Sequence, residues 1–279
     1  MIRDITLGQY YNVESTIHRL DPRFKLIATF VYIISLFIYT NVYVYTWAFI
    51  FMSLFIGLSK VPIKHILKGL KPVFAILLFT TCFNLFLIKG QVIFSFWKLS
   101  ITYEGVVSAA YMIVRLIMLI MGTSIMTFTT SPNELTDGLE SIMHPLTHIK
   151  IPVHEIAMMM SIALRFIPIL MEETDKIIKA QQARGADFES GNIINRAKSL
   201  IPIIVPLFVS AFRRANDLAM AMEARCYRGG EGRTKMKPLK YKKNDFFAYL
   251  LLLIYLSGMI LLGIYREKID LIITSVIFK

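Results

Sequence analysis

The sequence predicts an all-α integral membrane protein, with about five transmembrane helices plus a cytoplasmic region of one short and two long helices. Three observations carry that expectation. Hydrophobic residues make up 56% of the 279 and charged residues only 18%, where soluble domains carry roughly a quarter charged. The apolar residues gather in long runs rather than in the short alternations of strands. Lysine and arginine gather between those runs, as they do on the cytoplasmic side of a membrane. The formal charge of +12 then reflects topology. No basic strip is interleaved with aromatics in the manner of a nucleic-acid surface.

Met1–Lys25 is polar and charged, whereas Leu26–Leu58 is apolar with a break at Thr40 and Asn41. Two short spans are predicted, 26–40 and 42–58, near the lower limit of about 17 residues for a spanning helix. The first run reads as a retained span, not a cleaved signal. VPIKHILKGLKP, with lysines and no acid, reads as a cytoplasmic loop. Pro72–Ile88 is the third span and contains Asn84; Lys89–Thr102 reads as an external loop. Val106–Phe128 is the fourth span, with Arg115 inside it. An arginine there either faces protein or a watery cavity, or snorkels to the nearer interface.

Beyond Thr129 the character changes. Ser131, Pro132 and Glu134 read as N-cap, first residue and third residue of a short amphipathic helix reaching about Met143. A long helix follows from about Pro152 to Arg184, apolar at first with Arg165 and Pro168 interrupting, then charged. Gly185 is the residue expected just past its end. A second long helix starts near Asn195, runs through IPIIVPLFVSAF with Pro206 in it, and turns polar at Arg213 and Arg214. It ends at about Arg225, and Gly229 and Gly230 follow. Ile178–Lys243 holds 14 basic against 5 acidic residues, a net +9 of the +12, and should be cytosolic. Phe246–Tyr265 is the last span. The expected organisation is 1–128 with four spans, 129–243 as the cytosolic helical region, and 244–279 as the last span and tail.

Constellations for catalysis, cofactors or metals are missing. Gly258 and Gly263 have the spacing of a phosphate loop but lack its Lys-Ser/Thr and lie in a span. His154-Glu155 begins a zinc-protease pattern, yet Met158 stands where the second histidine would be. His144 and His148 are separated by Pro145 in an expected turn. Cys82 and Cys226 form no C-x-x-C. A non-catalytic chain without cofactor or metal is the expectation.

One pattern recurs. Ala180, Ala183 and Arg184 repeat as Ala221, Ala224 and Arg225, 41 positions further on. The plain account is helix propensity plus a basic residue complementing the helix dipole, at about 0.3–1 kcal/mol. The alternative is a docking peg, because a planar, permanently charged guanidinium suits an acidic groove on a partner. The second account also explains why both arginines close helices that are apolar first and polar last.

Several stretches resemble one family in order along the chain: HRLDPRFK (His18–Lys25), SPNEL (Ser131–Leu135), LRFIP (Leu164–Pro168), VPLF (Val205–Phe208), AQQARG (Ala180–Gly185) and AMEARC (Ala221–Cys226). The family is the transmembrane (T) component of energy-coupling factor transporters, prokaryotic importers of vitamins and metal ions. The resemblance implies a non-catalytic scaffold in the cell membrane, with its N-terminus cytoplasmic and 129–243 as a cytoplasmic coupling region. Two ABC-type ATPase subunits and a small substrate-binding membrane (S) subunit would be its partners, with the lipid bilayer around it and no nucleic acid. Carried over, Ala183, Arg184 and Gly185 would engage one ATPase, and Ala224, Arg225 and Cys226 the other. Cys226 departs from the glycine that the family often has there. A secondary transporter or channel is the rival reading and would need polar groups lining a midplane path, for which Arg115 and Asn84 are the material.

Overall fold

The computed structural model describes residues 10–265 apart from 89, 97–98, 187, 189–191, 193, 195–197, 231–233 and 237. The chain forms two compact units. One comprises Gly8–Gly138 together with the segment from Leu239 onward, and the other contains Leu139–Pro238.

The first unit opens with α1 (Pro22–Ile38) and α2 (Val42–Ser59). Asp21 caps α1 by accepting the Arg23 N–H, and Pro22 occupies the first helical position, where its missing N–H costs nothing. Asn41 caps α2 in the same way, which explains why the apolar run breaks there. The lysine-rich stretch read as a loop contains a short helix, α3 (Ile63–Lys68), and a 3-10 turn over Lys71–Val73. α4 (Phe74–Leu87) leads to an antiparallel hairpin of β1 (Val92–Phe96) and β2 (Leu99–Thr102), and then to α5 (Tyr103–Thr129). The hairpin corrects the expectation of a plain loop over 89–102. Its β-branched and aromatic residues are the signal for strands. Thr102 caps α5 through the Gly105 N–H and donates to the Ile88 carbonyl.

α9 (Lys243–Ile264) completes this unit. Its Tyr255 is fully buried among Leu36, Val44, Ala48 and Met118. The Tyr255 hydroxyl meets Ser35 Oγ at 2.6 Å, and its carbonyl accepts from Trp47 Nε1 at 3.2 Å. A cluster of charges ties the helix ends. Asp245 Oδ1 accepts the Asp21 N–H at 2.8 Å, and Lys25 Nζ donates to the Thr129 carbonyl at 2.7 Å. All four residues are buried, so the polar letters of HRLDPRFK join the ends of α1, α5 and α9. Buried charges of this kind are tolerated only when hydrogen-bonded.

α6 (Pro132–Met143) leads from the first unit to the second and starts with the expected capping box. The Ser131 N–H donates to Glu134 Oε2 at 3.1 Å, and the Glu134 N–H donates back to Ser131 Oγ at 3.3 Å. A 3-10 segment over His144–Ile149 precedes α7 (Val153–Ala183), and α8 (Ile201–Ala224) packs against α7. The start expected near Asn195 falls partly outside the described residues, and the regular helix begins at Ile201.

Five helical segments among the described residues are long and apolar enough to cross a membrane: Val42–Ser59, Ile63–Leu87, Tyr103–Thr129, Val153–Ala183 and Lys243–Ile264. The number agrees with expectation but the membership differs. α1 has 17 residues, at the lower limit for spanning, while the front of α7 is as apolar as a span. The fold is that of an all-α multi-pass membrane protein.

Candidate functional site: two matched helix ends

α7 and α8 finish in the same backbone geometry. Arg184 is the C-cap of α7 at φ −87°, ψ 5°, and Arg225 is the C-cap of α8 at φ −90°, ψ 11°. The next residue turns left-handed in each: Gly185 at φ +87° and Cys226 at φ +58°. Two reverse hydrogen bonds then close each end. The Ala186 N–H donates to the Gln181 carbonyl at 3.0 Å, and the Gly185 N–H to Gln182 at 2.9 Å. In α8 the Tyr227 N–H donates to Met222 at 3.0 Å, and the Cys226 N–H to Glu223 at 2.8 Å. Both are complete Schellman motifs. Cys226 therefore holds the position expected for glycine, at the steric cost of a side chain in the left-handed region. Gly229, also at positive φ, shapes the chain further on.

Ala180, Ala183, Arg184, Gly185, Ala221, Ala224, Arg225 and Cys226 are all exposed. Among the described residues neither Arg184 nor Arg225 has a carboxylate partner. The dipole at each helix end favours the cation, yet all five guanidinium donors remain open to solvent or to another molecule.

The two helices are held together at corresponding points. Glu173 of α7 accepts from Ser210 and, at 2.8 Å, from Arg214 of α8. Glu173 lies eleven residues before Arg184, and Arg214 eleven before Arg225. At 1.5 Å per residue each arm is roughly 16 Å long. The clamp thus sets the two tips at equal reach from one crossing point. It was not legible in the sequence, because pairing across 41 residues depends on how the helices cross.

The apolar halves of these helices are open. Ile201, Ile204, Val205, Phe208, Val209 and Phe212 of α8 are exposed, as is Met159 of α7. Bare apolar faces this large mark contact with lipid or another protein. Pro168 and Pro206 sit on exposed faces without ending their helices, each releasing the carbonyl four residues earlier. Arg165 is exposed.

The remaining candidates fall elsewhere. Ser131, Pro132 and Glu134 form the cap of α6, a structural arrangement. Asn84 and Arg115, in the first unit, line one cleft of about 520 Å³. Arg115 Nε donates to Tyr45 Oη at 2.8 Å, and the guanidinium carbon lies 5.3 Å from the Phe37 ring centre. His154 is engaged with Glu140 at 2.9 Å, and Lys235 donates to the same carboxylate at 2.6 Å. Burial pushes the Glu140 carboxyl up, but the hydrogen bonds from Lys235 and His154 outweigh it and hold the group below its ordinary range.

Fold and helix ends define a multi-pass all-α membrane protein that carries two matched cationic tips. Its kinship is direct. Residues 13–236 match the family model described as CbiQ, cobalt transport protein. The chain is 54% identical over 271 residues, 96% of its length, to the energy-coupling factor transporter transmembrane protein EcfT of Clostridium kluyveri, covering 100% of that protein. It is 53% identical over 262 residues to the EcfT of Ruminiclostridium cellulolyticum, 94% of this chain and 98% of that one. With the EcfT of Bacillus subtilis it shares 46% over 246 residues, 88% of this chain and 93% of the other. The chain belongs to this family, the transmembrane components of energy-coupling factor transporters.

Proposed function

We propose that the chain is the non-catalytic energy-coupling subunit of an ABC-type importer of vitamins or metal ions. Two ATPase subunits dock on its paired helix ends, one at Ala183, Arg184 and Gly185, the other at Ala224, Arg225 and Cys226. The single observation that carries this reading is the pair of matched Schellman ends, each presenting an arginine that has no carboxylate partner among the described residues, at equal reach from the Glu173–Arg214 clamp. Two like subunits closing on ATP would grip two like handles, and rigid helices would carry the motion onward. The exposed apolar faces of α7 and α8 then hold the small substrate-binding membrane subunit. Methionines such as Met159 suit a surface that accepts more than one partner, because their side chains repack readily. In this reading 129–243 is the cytoplasmic coupling region, in keeping with its net +9 over Ile178–Lys243.

Uptake by the reconstituted transporter tests the proposal. Arg184→Ala or Arg225→Ala removes one partner of a docked charge pair, worth about 2–5 kcal/mol, and should abolish most transport while insertion into the membrane persists. Normal uptake by the double variant would contradict it.

A further inference from the structure

Arg115 poses a problem that the docking ends do not solve. It is the thirteenth of the 27 residues of α5, deep within an apolar span, where an ionised side chain requires compensation. Among the described residues no carboxylate pairs with it. Among the described residues its hydrogen bond is the one from Nε to Tyr45, which leaves four of its five donors open to a further acceptor.

The surroundings explain how such an acceptor could arrive. The cleft holding Arg115 is lined by Thr40 in the α1–α2 connection, Asn84 in the last turn of α4, Glu104 in the first turn of α5, and Ser108. These sit at the end of the unit opposite the lysine-rich α2–α4 connection. Tyr45 is in the first turn of α2, so the α1–α2 hairpin stops close to the level of Arg115 although α5 continues for about three more turns. The arginine is therefore the floor of a recess, not a charge sealed in the bilayer. At the mouth Glu104 is already engaged, accepting the Gln91 N–H at 2.7 Å.

A second groove, of about 500 Å³, shares Val107 and Tyr111 with the first. Its other walls include Val42, Phe49, Val106, Ala110 and Val114, and Val42, Phe49, Val106 and Val114 are exposed. A polar recess with an open guanidinium thus runs into an exposed apolar furrow. That is the shape of a phosphate head joined to an acyl chain, and a planar guanidinium matches phosphate oxygens two at a time. An acidic side chain of a partner protein would satisfy the charge but leave the furrow unfilled.

We propose that this is a phospholipid site, with the phosphate on Arg115 and an acyl chain along Val106, Ala110 and Val114. The test is native mass spectrometry of the full purified chain with phosphatidylglycerol. Wild type should retain one lipid after the loosely held ones are stripped. Arg115→Gln should lower that retention by about tenfold or more, and Arg115→Lys should fall between. Ala110→Phe fills the furrow without touching the charge and should also lose the lipid, so it decides the matter alone if Arg115→Gln fails to insert. Inorganic phosphate in large excess should not displace the lipid. Undiminished retention in Arg115→Gln or in Ala110→Phe, or displacement by inorganic phosphate, would overturn the proposal. So would a copurifying membrane protein lost from Arg115→Gln with lipid retention unchanged.

Discussion

Cys226 stands at φ +58° where Gly185 stands at φ +87°, and the difference has a consequence. A side chain in the left-handed region costs roughly 1–2 kcal/mol, so Cys226→Gly should stabilise the end of α8, by about 1 kcal/mol. Cys226→Val should weaken it, because a β-branched residue fits that conformation worst. Thermal unfolding of the purified variants checks both. Stabilisation by Cys226→Val would mean that α8 does not end in this turn. The end of α7 was legible in the sequence because glycine signals the left-handed turn locally. The end of α8 was only half legible, since cysteine carries no such signal and the arginine repeat alone implied it. The SPNE cap of α6 was legible for the same local reason. By contrast, the pairing of Arg115 with Tyr45, like that of Asp21 with Asp245, joins residues distant in sequence, and no spacing rule anticipates it.

Between elements, the crossing of α7 and α8 rests on Glu173 between Ser210 and Arg214. Glu173→Arg should spoil the crossing and reduce uptake by about tenfold, with the ATPases still bound because both tips survive. Glu173→Arg combined with Arg214→Glu should restore a large share. Uptake measurements on the two single variants and the swap decide this, and a swap no better than either single variant would contradict the clamp. The Glu140 contacts add a pH dependence. Hydrogen bonds from Lys235 and His154 lower the Glu140 carboxyl below its ordinary 4.5, so the folded state holds its proton less tightly than the unfolded state. That contribution is fully present above the ordinary value and is lost as pH falls through the folded one. Acid unfolding of wild type and Glu140→Gln should therefore converge at the lowest pH, with the difference between them widest near neutrality. The long helices themselves were legible from apolar length and cap signals. α3 was not, because a short helix inside a charged stretch depends on its neighbours to form, and the β1–β2 hairpin, although its β-branched and aromatic residues signal strands, was masked by its place between two spans.

The whole molecule comprises a helical bundle, built around Tyr255 and fastened by Asp21, Lys25 and Asp245, and a pair of long helices with open apolar faces and open cationic tips. Composition gave the membrane class, and the excess of Lys and Arg over Ile178–Lys243 is the ground on which that region is proposed to be cytosolic. Kinship with the EcfT proteins gives the transporter family. The docking of two ATPases is the central claim, and copurification in mild detergent tests it most directly. The tagged chain should bring down P-loop ATPases, and Arg184→Glu plus Arg225→Glu should lose them while still entering the membrane. ATPases that remain bound to the double variant would contradict the account.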